Sequence, residues 1–263
     1  MQIVDSHTHM GPMFDDRPGM YPGTRASDII ALMDSAGINL SCTFAPLWEG
    51  PAVQDPNFEQ ANEAIARDTE KVRDRLAPFA RVNPNYGERA LRELDKCKRE
   101  YDFVGLKLHP TTEFFLPNNL RLMRPIMERC DEWGWPVFFH SGYYPTCQPA
   151  LFVPLAEAFP NVPMILAHIG YAHPADCIVV ARRYPNIYLE TSANSTTTIM
   201  TQVYENVDVK QFLYGSDLPF TDPVDVMEKI RAVPGMSDED LTLVLGGNIM
   251  RLLGLSGSNG GQA

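Results

Sequence analysis

Short apolar runs recur along this chain, separated by longer stretches in which apolar residues repeat with the period of an α-helix. A nearly continuous apolar run is typical of a strand in a parallel sheet that is buried on both faces. Eight runs have this character: Ile3-Val4 into His7, Leu40 to Pro46, Ala77 to Val82, Phe103 to Leu108, Pro136 to His140, Pro163 to His168, Asn186 to Leu189, and Phe212 to Tyr214. We therefore predict eight parallel strands.

The stretches between these runs have the length and periodicity of helices. The pattern predicts helices over 27–36, 58–75, 88–101, 120–133, 150–159, 174–184, 195–206 and 222–232, with a last one over 238–253. Ser27 and Ser237 are the predicted N-caps of the first and last helices. Eightfold alternation is the pattern of a closed (β/α)₈ TIM barrel, here distorted and carrying an extra C-terminal helix.

The 263 residues match the roughly 250 of a single barrel, although length alone leaves two smaller domains open. We predict one barrel domain over residues 1–255. Residues 256–263 are small and polar, and we expect them to form a disordered tail.

Composition and charge exclude several classes of partner. Lys and Arg number 22 against 33 Asp and Glu, giving a formal charge of −11, which disfavours binding to nucleic acid or to an anionic membrane surface. The five cysteines lack CxxC spacing, which argues against a disulfide framework and a cysteine-rich zinc site. No apolar run is long enough to span a membrane, and the N-terminus does not read as a signal peptide, so we expect a cytoplasmic protein. A homo-oligomer is possible.

Candidate chemistry concentrates at the predicted strand ends, where the active sites of such barrels lie. Five of the six histidines fall there, and the full set of strand-end groups is His7, His9, Lys107, His109, His140, His168 and Asp217. His7 and His9 are two residues apart on a strand, so both side chains project to the same face and could share one ion.

Each of these residues also has a purely structural explanation. His7 and His9 could be an incidental surface pair, His140 or His168 could be a core histidine, and Asp217 could cap a turn. Together, however, neutral imidazoles and a carboxylate form the ligand set of a catalytic zinc, manganese or iron site that keeps one position open. The chain has no Gly-x-Ser-x-Gly elbow, and Cys147 and Cys177 lack an evident base. Metal-dependent chemistry is therefore favoured over a serine or cysteine nucleophile.

At these motifs the chain resembles the amidohydrolase superfamily, in the branch that groups small amidohydrolase-related proteins with metal-dependent decarboxylases. The matching segments are Asp5-Ser6-His7-Thr8-His9, Gly105-Leu106-Lys107-Leu108-His109-Pro110, Val137-Phe138-Phe139-His140, Leu166-Ala167-His168-Ile169-Gly170, Tyr214-Gly215-Ser216-Asp217-Leu218-Pro219-Phe220 and the stretch from Gly246 to Leu255. The resemblance spans nearly everything from Asp5 to Leu255. It is specific for the superfamily and poorly specific for the substrate.

The resemblance implies that His7, His9, His140 and Asp217 hold one divalent ion, most simply zinc, with manganese or iron open. Asp217 would take a proton from the metal-activated water and hand it to the leaving group. His168 would act on the substrate in a one-metal site. In a two-metal site, His168 and a carboxylated Lys107 would bind the second ion. One ion is favoured and two are possible, while an uncarboxylated Lys107 could anchor an acidic substrate.

Further residues are candidates for the substrate pocket. His109 could line it or lie at its rim, and Arg81 could bind a carboxylate or make an ordinary salt bridge. Trp48, Tyr143 and Tyr171, together with Tyr144, could wall a pocket for a flat substrate or simply cover the barrel mouth.

Three functions remain open. The first is hydrolysis of a small-molecule lactone, ester or amide, and the second is non-oxidative decarboxylation of an unsaturated or aromatic acid by a carboxy-lyase. The third is a catalytically idle metal-binding barrel, which the number of candidate ligands disfavours. Length favours hydrolysis, because the decarboxylases that the chain resembles are usually longer.

Overall fold

A ring of parallel strands forms the centre of the computed structural model, which describes residues 1–11, 25–46, 55–193 and 196–255. The strands in these ranges are β1 Val4–His9, β2 Leu40–Phe44, β3 Leu76–Pro78, β4 Ala80–Arg81, β5 Leu106–Leu108, β6 Val137–Phe139, β7 Met164–Leu166, β8 Ile187–Glu190 and β9 Phe212–Leu213. They pair in sequence order as two sheets, β1 to β3 and β4 to β9, and every pairing is parallel. Sequence order and parallel pairing are the topology predicted for the barrel.

The third predicted strand is divided at Phe79 into β3 and β4, and this division is the first seam between the two sheets. The Phe79 amide donates to the Thr43 carbonyl on β2 at 2.8 Å, whereas the Ala80 amide donates to the Gly105 carbonyl before β5, also at 2.8 Å. The segment therefore bonds to both neighbours in turn. Gly105 is required here, because a Cβ on it would lie 2.3 Å from the Phe79 ring.

The second seam joins β1 to the segment that follows β9. The Ser6 amide donates to the Tyr214 carbonyl at 3.1 Å, the Asp217 amide to the His7 carbonyl at 2.8 Å, and the His9 amide to the Leu218 carbonyl at 2.7 Å. These bonds complete a distorted (β/α)₈ barrel. They also carry Asp217 to the end of β1.

Helices surround the strands close to the predicted positions. They are α1 Ala26–Ala36, α2 Glu59–Thr69, α3 Glu88–Arg99, α4 Leu120–Trp133, α5 Val153–Ala158, α6 Pro174–Arg183, α7 Thr197–Asn206, α8 Pro223–Arg231, α9 Asp238–Thr242 and α10 Asn248–Leu252. The predicted helix 58–75 ends early, in turns, and the predicted helix 150–159 begins as a 3₁₀ turn over Pro149–Phe152.

The C-terminal helical segment contains a π-helical turn, Leu243–Gly247, between α9 and α10. Gly246 packs there against the start of β1, where a Cβ would lie 2.4 Å from the Gln2 carbonyl oxygen. Ser237 caps α9 as predicted, its Oγ accepting from the Asp240 amide at 3.1 Å. The predicted cap at Ser27 is wrong, because α1 begins one residue earlier and Arg25 is its N-cap, with the Arg25 amide bonded to Asp28.

Apolar side chains fill both the inside of the barrel and the layer between strands and helices. Alternation along β6 shows the division: Phe138 packs inward with Phe44 and Phe79, while Val137 and Phe139 pack outward toward the helices. Two inward phenylalanines, Phe44 and Phe138, therefore form the floor beneath the strand ends.

None of the helices in the described ranges is long and apolar enough to cross a membrane. Trp48 and the predicted tail 256–263 lie outside the described residues.

Candidate active site at the barrel mouth

A buried carboxylate anchors the strand that carries His7 and His9. Asp5 accepts hydrogen bonds from the His7 amide at 3.0 Å, the Ser216 amide at 2.9 Å and the Ser216 hydroxyl. Complete burial raises the pKa of Asp5 to about 6, although these hydrogen bonds oppose the rise. Asp5 thus fixes β1 against the segment that leads to Asp217.

His7, His9 and Asp217 converge on one point. The Nε2 atoms of the two histidines lie 3.2 Å apart, and Oδ1 of Asp217 lies 3.2 Å from His7 and 3.1 Å from His9. Ligands of a tetrahedral zinc ion, each about 2.0–2.1 Å from the metal, lie about 3.3 Å from one another. The three atoms therefore have the spacing of ligands that could hold one ion, and the Asp217 side chain is 13% exposed, which leaves the site open to the mouth.

His140 and His168 lie beside this trio, at the ends of β6 and β7. His168 Nε2 is 3.2 Å from His140 Nδ1, and His168 has left-handed backbone with φ of 62°. His140 is not a member of the three-residue group. Its Nε2 is nevertheless buried and has no hydrogen-bond partner among the described residues.

All five strand-end histidines have pKa values below the ordinary value. Burial is the largest cause in each case, and it lowers the pKa of His140 to about 3. Lys107 lowers each pKa further as a neighbouring cation. The rings are therefore neutral at pH 7, which is the form that binds metal.

Lys107 is fully buried, with its Nζ 4.5 Å from the centre of the Phe44 ring and 4.3 Å from the centre of the Phe138 ring. Its Nζ is 3.4 Å from His7 Nε2. Burial lowers the pKa of Lys107 to about 7, an effect that Asp217 opposes; burial likewise raises the pKa of Asp217 to about 7, and Lys107 opposes that rise. Each of the two groups therefore favours the charged form of the other.

Glu190, at the end of β8, was missed by the sequence analysis. It is fully buried, its Oε2 lies 3.0 Å from His7 Nδ1, and it accepts from the His168 amide at 3.2 Å. Burial raises the pKa of Glu190 to about 8, whereas hydrogen bonds from Ser192 and the His168 amide favour the charged form. His7, His168 and Glu190 make a second group with metal-ligand spacing. Glu190 directly follows the predicted strand ending at Leu189, so the positional rule that selected the histidines could have found it.

Arg81 and Glu113 form a buried ion pair behind His109. The Arg81 guanidinium bonds to Glu113 and donates to the Ala45 and Pro46 carbonyls, both at 3.1 Å, while the second oxygen of Glu113 accepts from the His109 amide at 3.0 Å. This geometry is the ordinary salt bridge that the sequence left as the alternative for Arg81. With no exposed surface, Arg81 is not presented to a substrate carboxylate.

Aromatic rings cover the histidines from the mouth. His109 stacks on His140 with centroids 3.9 Å apart, and Tyr171 lies 4.5 Å from the His168 ring. Tyr143 lies 5.6 Å from Tyr171 and is 60% exposed, and Tyr144 in turn contacts Tyr143. The structure thus brings these predicted pocket residues to one side of the mouth.

The fold and the strand-end groups define a (β/α)₈ barrel with imidazoles and carboxylates gathered at its mouth. The amidohydrolase family profile matches residues 4–255, and the chain belongs to this family. No curated protein sequence matches the chain.

Solved structures with the same fold include several decarboxylases. The 2,6-dihydroxybenzoate decarboxylase from Rhizobium is 20% identical, with a TM-score of 0.78 over 98% of this chain and 100% of that one. The 5-carboxyvanillate decarboxylase from Sphingomonas paucimobilis is 15% identical, with a TM-score of 0.77 over 96% and 98%. A dihydroxybenzoic acid decarboxylase from Polaromonas, with bound manganese and an inhibitor, is 18% identical, with a TM-score of 0.72 over 97% of each chain. At these identities the likeness shows the fold.

Proposed function

We propose that the protein is a metal-dependent hydrolase of a small-molecule lactone, ester or amide. The observation that carries this proposal is the convergence of His7 Nε2, His9 Nε2 and Asp217 Oδ1 within 3.2 Å of one another at the open end of the barrel. Two neutral nitrogens and one carboxylate oxygen make an incomplete ligand set, which is the character of a catalytic rather than a structural metal site.

His140 is proposed as the remaining protein ligand, because its buried Nε2 lacks a hydrogen-bond partner in the described part of the chain. The donors suit zinc, manganese or iron. Manganese bound to the Polaromonas relative supports a divalent ion without deciding among these. Such an ion supplies a water of lowered pKa and polarises a carbonyl oxygen.

The protein's own groups would move the proton and hold the substrate. Asp217 is proposed to accept a proton during attack and to return it to the leaving group. His109, Tyr143 and Tyr171 would wall the pocket, and their flat rings favour a substrate with a planar portion.

Hydrolysis is favoured over decarboxylation because neither Arg81 nor Lys107 is exposed to bind a substrate carboxylate beside the proposed ion. In the described ranges, Arg81 is already paired with Glu113, and Lys107 lies buried beneath the histidines. Decarboxylation is the second candidate. It is supported by the 3.4 Å approach of Lys107 Nζ to His7 Nε2, which places a titratable amine beside the proposed ligands, and by the three decarboxylases that share the fold.

One experiment separates these functions. Protein purified without chelators is analysed for metals and assayed against lactones, esters, amides and unsaturated or aromatic acids, with acid release and carbon dioxide measured in parallel. We expect acid release without carbon dioxide, abolished by chelation and by His7→Ala. Carbon dioxide release would establish the second candidate. Full activity of a verified metal-free protein would refute both, and metal binding without turnover would favour an idle barrel.

A further inference from the structure

A second set of contacts connects the histidines away from the proposed ion. We call it the Glu190 network, and its members are Glu190, Ser192, His7, His168 and His140. Glu190 Oε2 lies 3.0 Å from His7 Nδ1 and accepts from the Ser192 hydroxyl at 2.8 Å. Ser192 Oγ lies 2.8 Å from His168 Nδ1, and His168 Nε2 lies 3.2 Å from His140 Nδ1. One buried carboxylate thus connects to three imidazoles.

The contact to His7 determines where that ring carries its proton. Glu190 accepts hydrogen bonds from the Ser192 amide, the Ser192 hydroxyl and the His168 amide, and these three donors favour its ionised form. An ionised carboxylate only accepts hydrogen bonds, so the neutral His7 ring donates to it through Nδ1–H. Its Nε2 then presents a lone pair toward His9 and Asp217, the direction of the proposed ion. An acceptor on the far nitrogen of a metal-binding histidine orients the ring and fixes its tautomer in this way.

The contacts made through Ser192 determine the proton positions of two more rings, those of His168 and His140. A hydroxyl has one proton, and if Ser192 gives it to Glu190, its oxygen accepts from His168 Nδ1–H. His168 Nε2 is then an acceptor for His140 Nδ1–H. The end of this branch is His140 Nε2, a bare nitrogen, which is the buried atom without a hydrogen-bond partner among the described residues.

The opposite set of hydrogen-bond directions through Ser192 is energetically less favourable. If Ser192 donates to His168, then His168 donates to His140, and His140 must carry its proton on Nε2. That buried N–H would have no acceptor in the described part of the chain, and Glu190 would lose one donor. An unpaired buried donor carries its full desolvation penalty, whereas a bare nitrogen can be satisfied by a metal ion.

We propose that Glu190 is a positioning residue that, with Ser192, places the proton on Nδ1 of His7, His168 and His140, so that Nε2 of His7 and of His140 face the ion as lone pairs. This inference rests on the ligand set proposed above. His168 is excluded from the first ion by the same arrangement, because its Nε2 is used by His140. In this network His7 and His140 are proposed metal ligands, whereas His168 connects Ser192 to His140 through hydrogen bonds.

The test reads the tautomers directly. Metal-free protein labelled with ¹⁵N-histidine is examined by long-range ¹H–¹⁵N correlation spectroscopy, which distinguishes Nδ1–H from Nε2–H rings. We expect Nδ1–H for His7, His140 and His168 in the unsubstituted protein. Glu190→Gln places an amide donor opposite His7, so we expect His7 to move toward Nε2–H and zinc affinity, measured by chelator competition, to fall by about 10–100-fold.

Ser192→Ala provides the second arm. We expect it to release His168 and His140 from the Nδ1–H form. The variant also removes the 3.1 Å contact between Ser192 Oγ and His7 Nδ1, but we expect His7 to keep its proton on Nδ1 because its 3.0 Å contact with Glu190 remains. Glu93→Gln is the matched control: Glu93 is a buried carboxylate on α3 that accepts from Asn62 Nδ2 at 2.9 Å. It should leave tautomers and zinc affinity unchanged.

Two results would overturn the inference. One is Nε2–H on His7 or His140 in the unsubstituted protein; the other is Glu190→Gln protein with unchanged tautomers and affinity. If Glu190→Gln does not fold, Ser192→Ala still decides the longer branch. If the protein binds no divalent ion, the proposed function fails, but the tautomers of the metal-free protein still test the network.

Discussion

At the scale of single residues, the mouth of this barrel buries many ionisable groups that cannot all be charged at once. Five imidazoles, one amine and two carboxyls are buried at this mouth, each in contact with at least one other member of the group. Five charged rings could not be accommodated there, because each would lack solvation and repel the others. The lowered pKa values of the histidines are therefore a condition of folding as well as of metal binding.

This condition predicts an acid-dependent loss of stability that one substitution should reduce. The pKa of His140 is lowered to about 3 in the folded protein, below its ordinary value of 6.5, so between these pH values the unfolded chain binds a proton that the folded chain excludes. The free energy of unfolding therefore falls as pH falls through this window. In metal-free His140→Gln, we expect about one fewer proton taken up on unfolding. Urea unfolding at several pH values measures this, and an unchanged slope would contradict it.

Lys107 and His7 should differ in their effect on metal content. Lys107 packs against two phenylalanine rings, and its Nζ lies 3.4 Å from His7 Nε2. In the one-ion arrangement, Lys107→Met keeps the packing and leaves about one bound equivalent, whereas His7→Ala leaves none. Elemental analysis of both variants measures this. Two equivalents in the unsubstituted protein, with reconstitution that depends on bicarbonate, would instead show a carboxylated Lys107.

Some residues of this site could be predicted from the sequence, and others could not. His7, His140 and Asp217 were predicted because they end apolar runs or follow them directly. Glu190 obeys the same rule, because it directly follows the apolar run that ends at Leu189, but it was not among the predicted site residues. The pairing of Arg81 with Glu113 could not be predicted, because the partners are separated by 32 positions and meet only through the fold.

At the scale of elements, the alternation of apolar runs predicted the strands and helices because each strand of a barrel is buried on both faces. What it could not predict is where neighbouring loops touch. The split of the third strand at Phe79 and the π-helical turn at Gly246 both lie where the chain meets distant backbone, at Thr43 and Gln2. Such contacts leave no periodic signal.

The loops after β6 and β7 meet at Gly142, which predicts a large effect of a small change. Gly142 has φ of 86°, and a Cβ on it would lie 1.7 Å from the Gly170 carbonyl oxygen. Gly235 also has positive φ, 77°, but has open space around it. We expect Gly235→Ala to destabilise by about 1–2 kcal/mol, and Gly142→Ala to destabilise more and to displace the loop between His140 and His168. Thermal unfolding compares them, and equal losses would contradict the clash.

The ion pair between Arg81 and Glu113 links β4 to the loop after β5. Burial lowers the pKa of Arg81 and raises that of Glu113, so each charge depends on the other. We expect Arg81→Met or Glu113→Leu alone to destabilise by about 3–5 kcal/mol, and the double variant to recover part of that loss. Urea unfolding of the four proteins forms the double-mutant cycle. Additive losses would show that the pair is not coupled.

At the scale of the whole molecule, the proposed ligands come from both sheets. His7 and His9 belong to β1, whereas His140 follows β6 and Asp217 follows β9 of the other sheet. Closure of the barrel at the seam between His7 and Asp217 is thus what assembles the site. Sequence alternation predicted closure, but the seam itself, with its gaps in strand pairing, depends on which backbone groups face each other.

An ion held by both sheets should stabilise the barrel as a unit. A ligand present at 1,000 times its Kd adds about 4 kcal/mol to the free energy of unfolding, and each kcal/mol raises the Tm of a chain of this size by about 2–4 °C. Zinc added to chelated protein should therefore raise the Tm by about 8–16 °C. His7→Ala should abolish this rise because it removes a proposed ligand from β1, one of the two sides of the seam that the ion would join. His173→Gln should retain it, since the His173 side chain pairs with Asp176 at the start of α6 and is not among the proposed ligands. Scanning calorimetry with and without zinc measures all three proteins, and an equal rise in His7→Ala would place the stabilising ion elsewhere.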